Sequence, residues 1–188
     1  MAHPFTVISI GFRALKRIFT GEILRHEDVE IGGGLGVVSL LLKRERRSPD
    51  QYVVLVGRAS GGVYYNPLEL DEFDRFIESA DNIRASQTCA TDTSLHAVPK
   101  LGHLTDMIVK GEVLRRVDTE ILGGQVTVSL RLKRETGTMH EYVVLATIAL
   151  GWWQYFPFEL DEFHRFVAAA KRIRAATGAA TSDELRHA

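Results

Sequence analysis

Hydrophobic positions along this chain alternate with a two-residue period over short stretches, then switch to a three-and-four period, and the whole succession occurs twice. In the clearest strand Val38, Leu40 and Leu42 share one face while Ser39 and Lys43 take the other. Its counterpart sets Val128, Leu130 and Leu132 against Thr127, Ser129, Arg131 and Lys133. The pattern predicts one face in a core and one in water. An earlier strand is expected over Ile23 to Ile31, a third over Tyr52 to Val56 or Tyr142 to Ala146, and a fourth over Val63 to Tyr65 or Trp153 to Tyr155. Gly32, Gly33 and Gly34, with Gly123 and Gly124 in the second copy, supply the left-handed backbone of a hairpin. A phosphate-cradling glycine loop leads directly into a helix, whereas a β-branched run follows here, so the hairpin reading is preferred.

The helical period begins near Asn66 and Pro67, where asparagine can cap, proline suits the first turn and Glu69 can complete a capping box. Leu70, Phe73, Phe76, Ile77, Ala80 and Ile83 form the apolar stripe, and Asp71, Glu72 and Arg75 are placed on the opposite side. Leu160, Phe163, Phe166, Val167, Ala170 and Ile173 repeat the stripe. The expected fold is α+β: a tandem, pseudo-twofold pair of β-β-β-β-α units, each a curved antiparallel sheet with an amphipathic helix on one face and the other face free.

An offset of 90 aligns Gly21 to Ser86 with Gly111 to Ala176 without a gap, at about half the positions identical. GEILRHEDVEIGGG faces GEVLRRVDTEILGG, and LELDEFDRFIESADNIRA faces FELDEFHRFVAAAKRIRA. The organisation that follows is an N-terminal segment over 1–20, repeat I over 21–86, a linker over 87–103, repeat II over 104–176 and a flexible tail over 177–188. Two copies are too few for a solenoid, so they are expected to close on each other as one globular module.

Composition narrows the function. The chain has 188 residues, 45% of them hydrophobic, and a formal charge of −1, so any anion site is a local patch. Cys89 is the only cysteine, which excludes an intrachain disulfide and a cysteine-rich zinc site and favours an intracellular compartment, nucleus or cytoplasm. Arg13, Lys16 and Arg17 precede the first acid, Glu22, so the N-terminal segment is either a mitochondrial targeting element or part of the first unit. No apolar run reaches the roughly 20 residues of a membrane span, and no membrane partner is expected.

The arrangement resembles the Pur repeats of the Pur-alpha family and, more distantly, the positive cofactor four and Whirly folds. RRVDTEILGGQVTVSLRLKRE is similar to the Pur opening, where a basic residue and Val-Asp precede a hairpin and a strand ending in lysine. GVYYNP, residues 62–67, is similar to the segment that leads into the helix of the positive cofactor four fold. Departures stand at Val38 and Val128, where Pur strands usually carry an aromatic, and at the turns KRERRSPD and KRETGTMH. The resemblance implies two interlocked repeats, open sheet faces that bind single-stranded DNA or RNA, and a homodimer.

Single-strand binding combines cations that follow phosphates with flat side chains on which bases stack. The basic set is Arg25, Lys43, Arg44, Arg46, Arg47 and Arg58 in the first copy and Arg115, Arg116, Arg131, Lys133 and Arg134 in the second. The competing reading is a solvated strand edge. Trp152 and Trp153 face Gly62 and Val63 of the first copy, and alternation sends them to opposite faces, one to the core and one to a base or a protein partner. Tyr52 and Tyr142 are open to either reading.

Glu69, Asp71, Glu72 and their counterparts Glu159, Asp161 and Glu162 occupy a first helical turn, where acids cap free N–H groups, so they are not read as acid-base catalysts. The histidines lack metal-ligand spacing, and His26, His140 and His164 have no histidine at the matching position. No catalytic residue, metal or cofactor is expected. The function expected is single-stranded DNA or RNA binding; the alternative is a protein-protein interaction or scaffold module.

Overall fold

The computed structural model describes residues 16–59, 62–87, 106–149 and 151–184, without the side chains of Trp152 and of residues 178–184. Strands β1 (Glu22–Ile31), β2 (Gly36–Arg44), β3 (Gln51–Ala59) and β4 (Gly62–Glu69) form an antiparallel sheet in chain order, and helix α1 (Leu70–Ala85) follows at once. Strands β5 (Glu112–Ile121), β6 (Val126–Arg134), β7 (Glu141–Ala149) and β8 (Trp152–Glu159) form the second sheet in the same order, followed by α2 (Leu160–Glu184). The fold is therefore α+β, two four-stranded antiparallel sheets each followed by a helix. A helical turn, 16–19 or 106–109, precedes the first strand of each sheet. The expected linker lies outside the described residues except for Gln87, and the expected tail is helical as far as Glu184.

Each β1–β2 hairpin turns through a 3-10 segment whose central glycine, Gly33 or Gly123, sits at φ +64° or +65°. Only glycine adopts that backbone without strain. Leu122 is held at φ +53° where the first copy has Gly32, a conformation that costs about 1 kcal/mol for a side-chain-bearing residue.

Helix α1 starts three residues later than the Asn66–Pro67 signal predicts. Pairing of β4 with β3 runs on to Tyr52 opposite Glu69, so extended structure persists to Glu69 and that residue becomes the cap. Glu72 completes the box by accepting the Glu69 N–H at 2.9 Å. Pro67 is tolerated because β4 is an edge strand. Asn66 does not cap; its amide faces the Thr147 hydroxyl of the second half at 3.4 Å.

The two halves share one core. Leu40, Leu55, Phe73 and Phe76 belong to the same buried cluster as Leu130, Leu145, Phe163 and Phe166. The helices were expected over their own sheets, yet α1 packs chiefly on β5 with β6 beside it, and α2 on β1 with β2 beside it. Phe76 and Phe166 meet edge to face at 5.9 Å where the helices touch. A lone four-stranded sheet and one helix leave apolar surface uncovered, and crossing each helix to the other sheet removes it from water.

Two details fix this exchange. A Cβ at Gly57 would stand 2.0 Å from the Phe156 ring, so the first half lacks a side chain where the second half inserts a large one. Glu72, expected on the solvent side, and its counterpart Glu162 are buried at 8% and 6% exposure. Besides capping its own helix, Glu72 accepts the Leu122 N–H at 2.9 Å, and Glu162 accepts the N–H groups of Gly32 and Gly33 at 3.2 and 3.3 Å. Each helix thus clasps the hairpin turn of the other half. Burial pushes the Glu72 carboxyl above its usual range, against the two backbone N–H groups that favour its charged form.

Candidate nucleic-acid interface

Strand register defines the outer face of each sheet, the one turned away from the shared core. Directly opposed antiparallel residues point the same way, so the outer face of the second sheet carries rows of Glu120, Thr127, Ile148 and Trp153; Asp118, Ser129, Ala146 and Tyr155; and Arg116, Arg131, Val144 and Pro157. The same rows of the first sheet hold Glu30, Val37, Arg58 and Val63; Asp28, Ser39, Val56 and Tyr65; and His26, Leu41, Val54 and Pro67.

These faces are not the open, wet surfaces that alternation suggests. Ser39 and Ser129 are fully buried, as are Tyr52, Val54 and Val56 on one sheet and Tyr142, Val144 and Ala146 on the other. The helical turns 16–19 and 106–109 lie over the end of each face. Tyr52 donates its hydroxyl to the Arg17 and Thr20 carbonyls, and Tyr142 to the Lys110 carbonyl. Met107 packs with Tyr142, Val144 and Tyr155. Burial raises both phenols, Tyr142 to about 12.

Lys43 and Lys133 are therefore removed from the phosphate-binding set. At 5% and 4% exposure, Lys43 donates to the Arg17 and Ile18 carbonyls at 3.1 and 3.0 Å, and Lys133 to the Met107 and Ile108 carbonyls at 3.0 and 2.9 Å. They satisfy carbonyls left free at the end of a helical turn. Burial lowers the pKa of both.

Four arginines of the set are matched by acids. Arg25 contacts Glu27 at 2.8 Å, Arg44 contacts Glu22 at 3.0 Å, Arg116 contacts Asp118 at 2.8 Å and Arg134 contacts Glu141 at 2.8 Å. Arg46, Arg47, Arg58 and Arg115 are exposed and make no ion pair among the described residues. Arg131 is half-buried; its Nε donates to the Ser129 hydroxyl at 3.3 Å and its guanidinium lies 6.0 Å from the Tyr155 ring centre. Burial pushes Asp118 up, but hydrogen bonds from Arg116 and Ser129, with the charges of Arg116 and Arg131, leave it below the usual carboxylate range.

Trp153 stands at the edge of the second outer face, 63% exposed and two residues from half-buried Tyr155 on the same strand face. The side chain of Trp152 lies outside the described residues. The structure thus brings together Trp153, Tyr155 and Arg131 on one face, with Arg116 across the register from Arg131. It does not join them to the first-half arginines of the predicted set. Arg17 was missed by sequence reasoning: its buried guanidinium bonds Glu45 at 3.0 Å, pairs with Glu69 and lies 4.9 Å from the Tyr52 ring centre. The available signal was the substitution at the matching position, where the second copy has Met107.

Among the described residues no group of three or more histidine, cysteine, aspartate or glutamate side chains is placed to hold a metal ion, and no helix is long and apolar enough to cross a membrane. No family model matches the chain, and no curated protein matches it.

Proposed function

We propose that this chain binds single-stranded nucleic acid on the outer face of its second sheet, with bases stacked on Trp153 and Tyr155 and a phosphate met by Arg131. The observation that carries the reading is the exposure of Trp153 beside Tyr155, with a guanidinium over the second ring that has no carboxylate within ion-pair distance among the described residues. Aromatic faces bind bases with little sequence preference, worth about 1–3 kcal/mol per base. With so few cations on the face, stacking dominates. One phosphate contact on a single strand gives a slope of log affinity on log salt of only about −0.7. No catalytic group is assigned.

Tryptophan fluorescence during titration with short single-stranded oligonucleotides tests this reading. Saturable quenching with a shallow salt slope is expected, and Arg131→Glu is expected to weaken it and flatten the slope further. Unquenched fluorescence up to about 1 mM oligonucleotide, a concentration reaching weak contacts, rejects it.

One observation favours a protein partner instead. Exposed apolar side chains recur at matching positions, Phe19 with Val109, Ile23 with Val113 and Val63 with Trp153. Such a repeated apolar surface suits docking to a protein. Under that reading the fluorescence stays unchanged with oligonucleotide.

A further inference from the structure

The first half carries a cleft with a charge that its counterpart lacks. It opens where the helical turn 16–19 passes the β2–β3 hairpin, has a volume of about 200 Å³, and is lined by Lys16, Arg17, Thr20, Glu45, Arg46 and Arg47. Four cations meet one carboxylate there. That carboxylate is committed: Glu45 accepts the Arg17 Nε–H at 3.0 Å, while Arg17 also pairs with Glu69 and packs on Tyr52. Arg17 is thereby fixed as a buried, neutralised floor. Lys16, Arg46 and Arg47 remain exposed around the cleft, with no ion pair among the described residues.

The offset of 90 places Asp106, Met107, Lys110, Glu135, Thr136 and Gly137 at the matching positions. There Lys110 is tied to Asp106 at 2.9 Å, and acids outnumber cations. The two copies keep the same backbone and the same Tyr and Lys anchors but reverse the sign of the charge. A solvated hairpin needs no such reversal, whereas a cleft lined by one sign of charge concentrates the field on a small ion.

We propose that this cleft binds the phosphate group of a small phosphorylated ligand. Arginine forks match phosphate oxygens two at a time, and Arg46 and Arg47 bring two forks to one rim. The volume is below the roughly 300 Å³ at which pockets begin to hold drug-sized molecules, so it takes a mono- or diphosphate group and leaves the rest of a ligand outside. The site lies in the other half from Trp153 and stands without the nucleic-acid reading.

Calorimetric titration of the full chain with inorganic pyrophosphate, at constant ionic strength, tests the site. One-to-one binding is expected, and the double substitution Arg46→Glu with Arg47→Glu, both on an exposed turn, is expected to weaken it by at least about tenfold. Trp153→Val is expected to leave it unchanged, which separates failure of this site from failure of the aromatic one. Competition by a 5′-phosphorylated oligonucleotide, but not by its unphosphorylated form, identifies a strand end as the source; absence of competition identifies a free phosphorylated solute. No binding heat up to about 1 mM pyrophosphate, or the same affinity in the charge-reversed variant, overturns the proposal.

Discussion

The outer faces of the two sheets are built on the same frame and decorated differently. Ser39 and Ser129, Lys43 and Lys133, and Tyr52 and Tyr142 occupy matching places and perform matching tasks, since the lysines and tyrosines hold down the helical turn that crosses the face. Around them His26 stands against Arg116, Leu41 against Arg131, Arg58 against Ile148 and Val63 against Trp153. A strand-face residue held by backbone carbonyls cannot change without exposing an unsatisfied group, but a rim residue can. Shared residues therefore mark architecture, and binding is to be sought where the copies part.

The largest effects should come from the unequal fit between halves. Phe156→Ala removes a ring buried against Gly57 and is expected to cost about 3–5 kcal/mol in chemical denaturation. Gly57→Ala is expected to cost about 1–3 kcal/mol by overpacking. If the two groups face each other as described, the double variant costs less than the sum of the singles.

Next comes the clasp. Glu72→Ala and Glu162→Ala each leave backbone N–H groups of the other half unsatisfied, with an expected cost of about 2–3 kcal/mol, while Asp71→Ala, on the exposed side of the same turn, should change stability by less than about 0.5 kcal/mol. The sign of its pH response follows from burial. Because the folded Glu72 carboxyl titrates above the unfolded one, its contribution is present below the unfolded value of 4.5 and is lost as pH rises through the folded value. Glu72→Gln should therefore flatten the stability profile on the alkaline side of pH 4.5.

A smaller effect distinguishes the helical-turn ends of the two sheets. Glu69 is paired with Arg17, whereas Glu159 is paired with His140 at 3.0 Å. The hydrogen bond to Glu159 raises the His140 pKa above 6.5, with burial opposing it. Its stabilisation is complete below the unfolded pKa of 6.5 and is lost as pH rises through the folded value, while the Arg17 pair persists. The pair is partly solvated, so the loss should stay under about 1 kcal/mol. Ring-proton NMR of His140 should show titration above 6.5, and a value at or below 6.5 breaks the pairing.

Much of this architecture was legible in the chain. The offset of 90, the alternation through Val38, Leu40 and Leu42, the Gly33 and Gly123 turns, and the Phe73–Phe76 stripe each state a local rule that the fold obeys. Three things were not legible, for physical reasons. The Asn66–Pro67 signal is a real capping preference, but continued pairing of β4 with β3 overrides it. Alternation reports the side to which a residue points and not what lies over that side, so Lys43 and Lys133 looked solvated. The same limit hid Glu72 and Glu162, whose partners belong to the other half. Of the candidate site, the exposure of one of the two tryptophans was within reach of sequence, because the pair stands in one copy only, but alternation did not say which of Trp152 and Trp153 it is. The neutralisation of Arg44 by Glu22 and of Arg134 by Glu141 depends on neighbours that only the register supplies, whereas Arg25 with Glu27 and Arg116 with Asp118 stand two residues apart on one strand.

The central proposal is that nucleic-acid binding belongs to the second outer face and arises from its divergence. Fluorescence anisotropy of a labelled single-stranded oligonucleotide tests it by comparing the unaltered chain with Trp153→Val, which restores the residue of the first copy. Loss of one stacked base predicts affinity lower by about 5- to 160-fold with stability unchanged. Equal affinity in the two proteins would contradict the account.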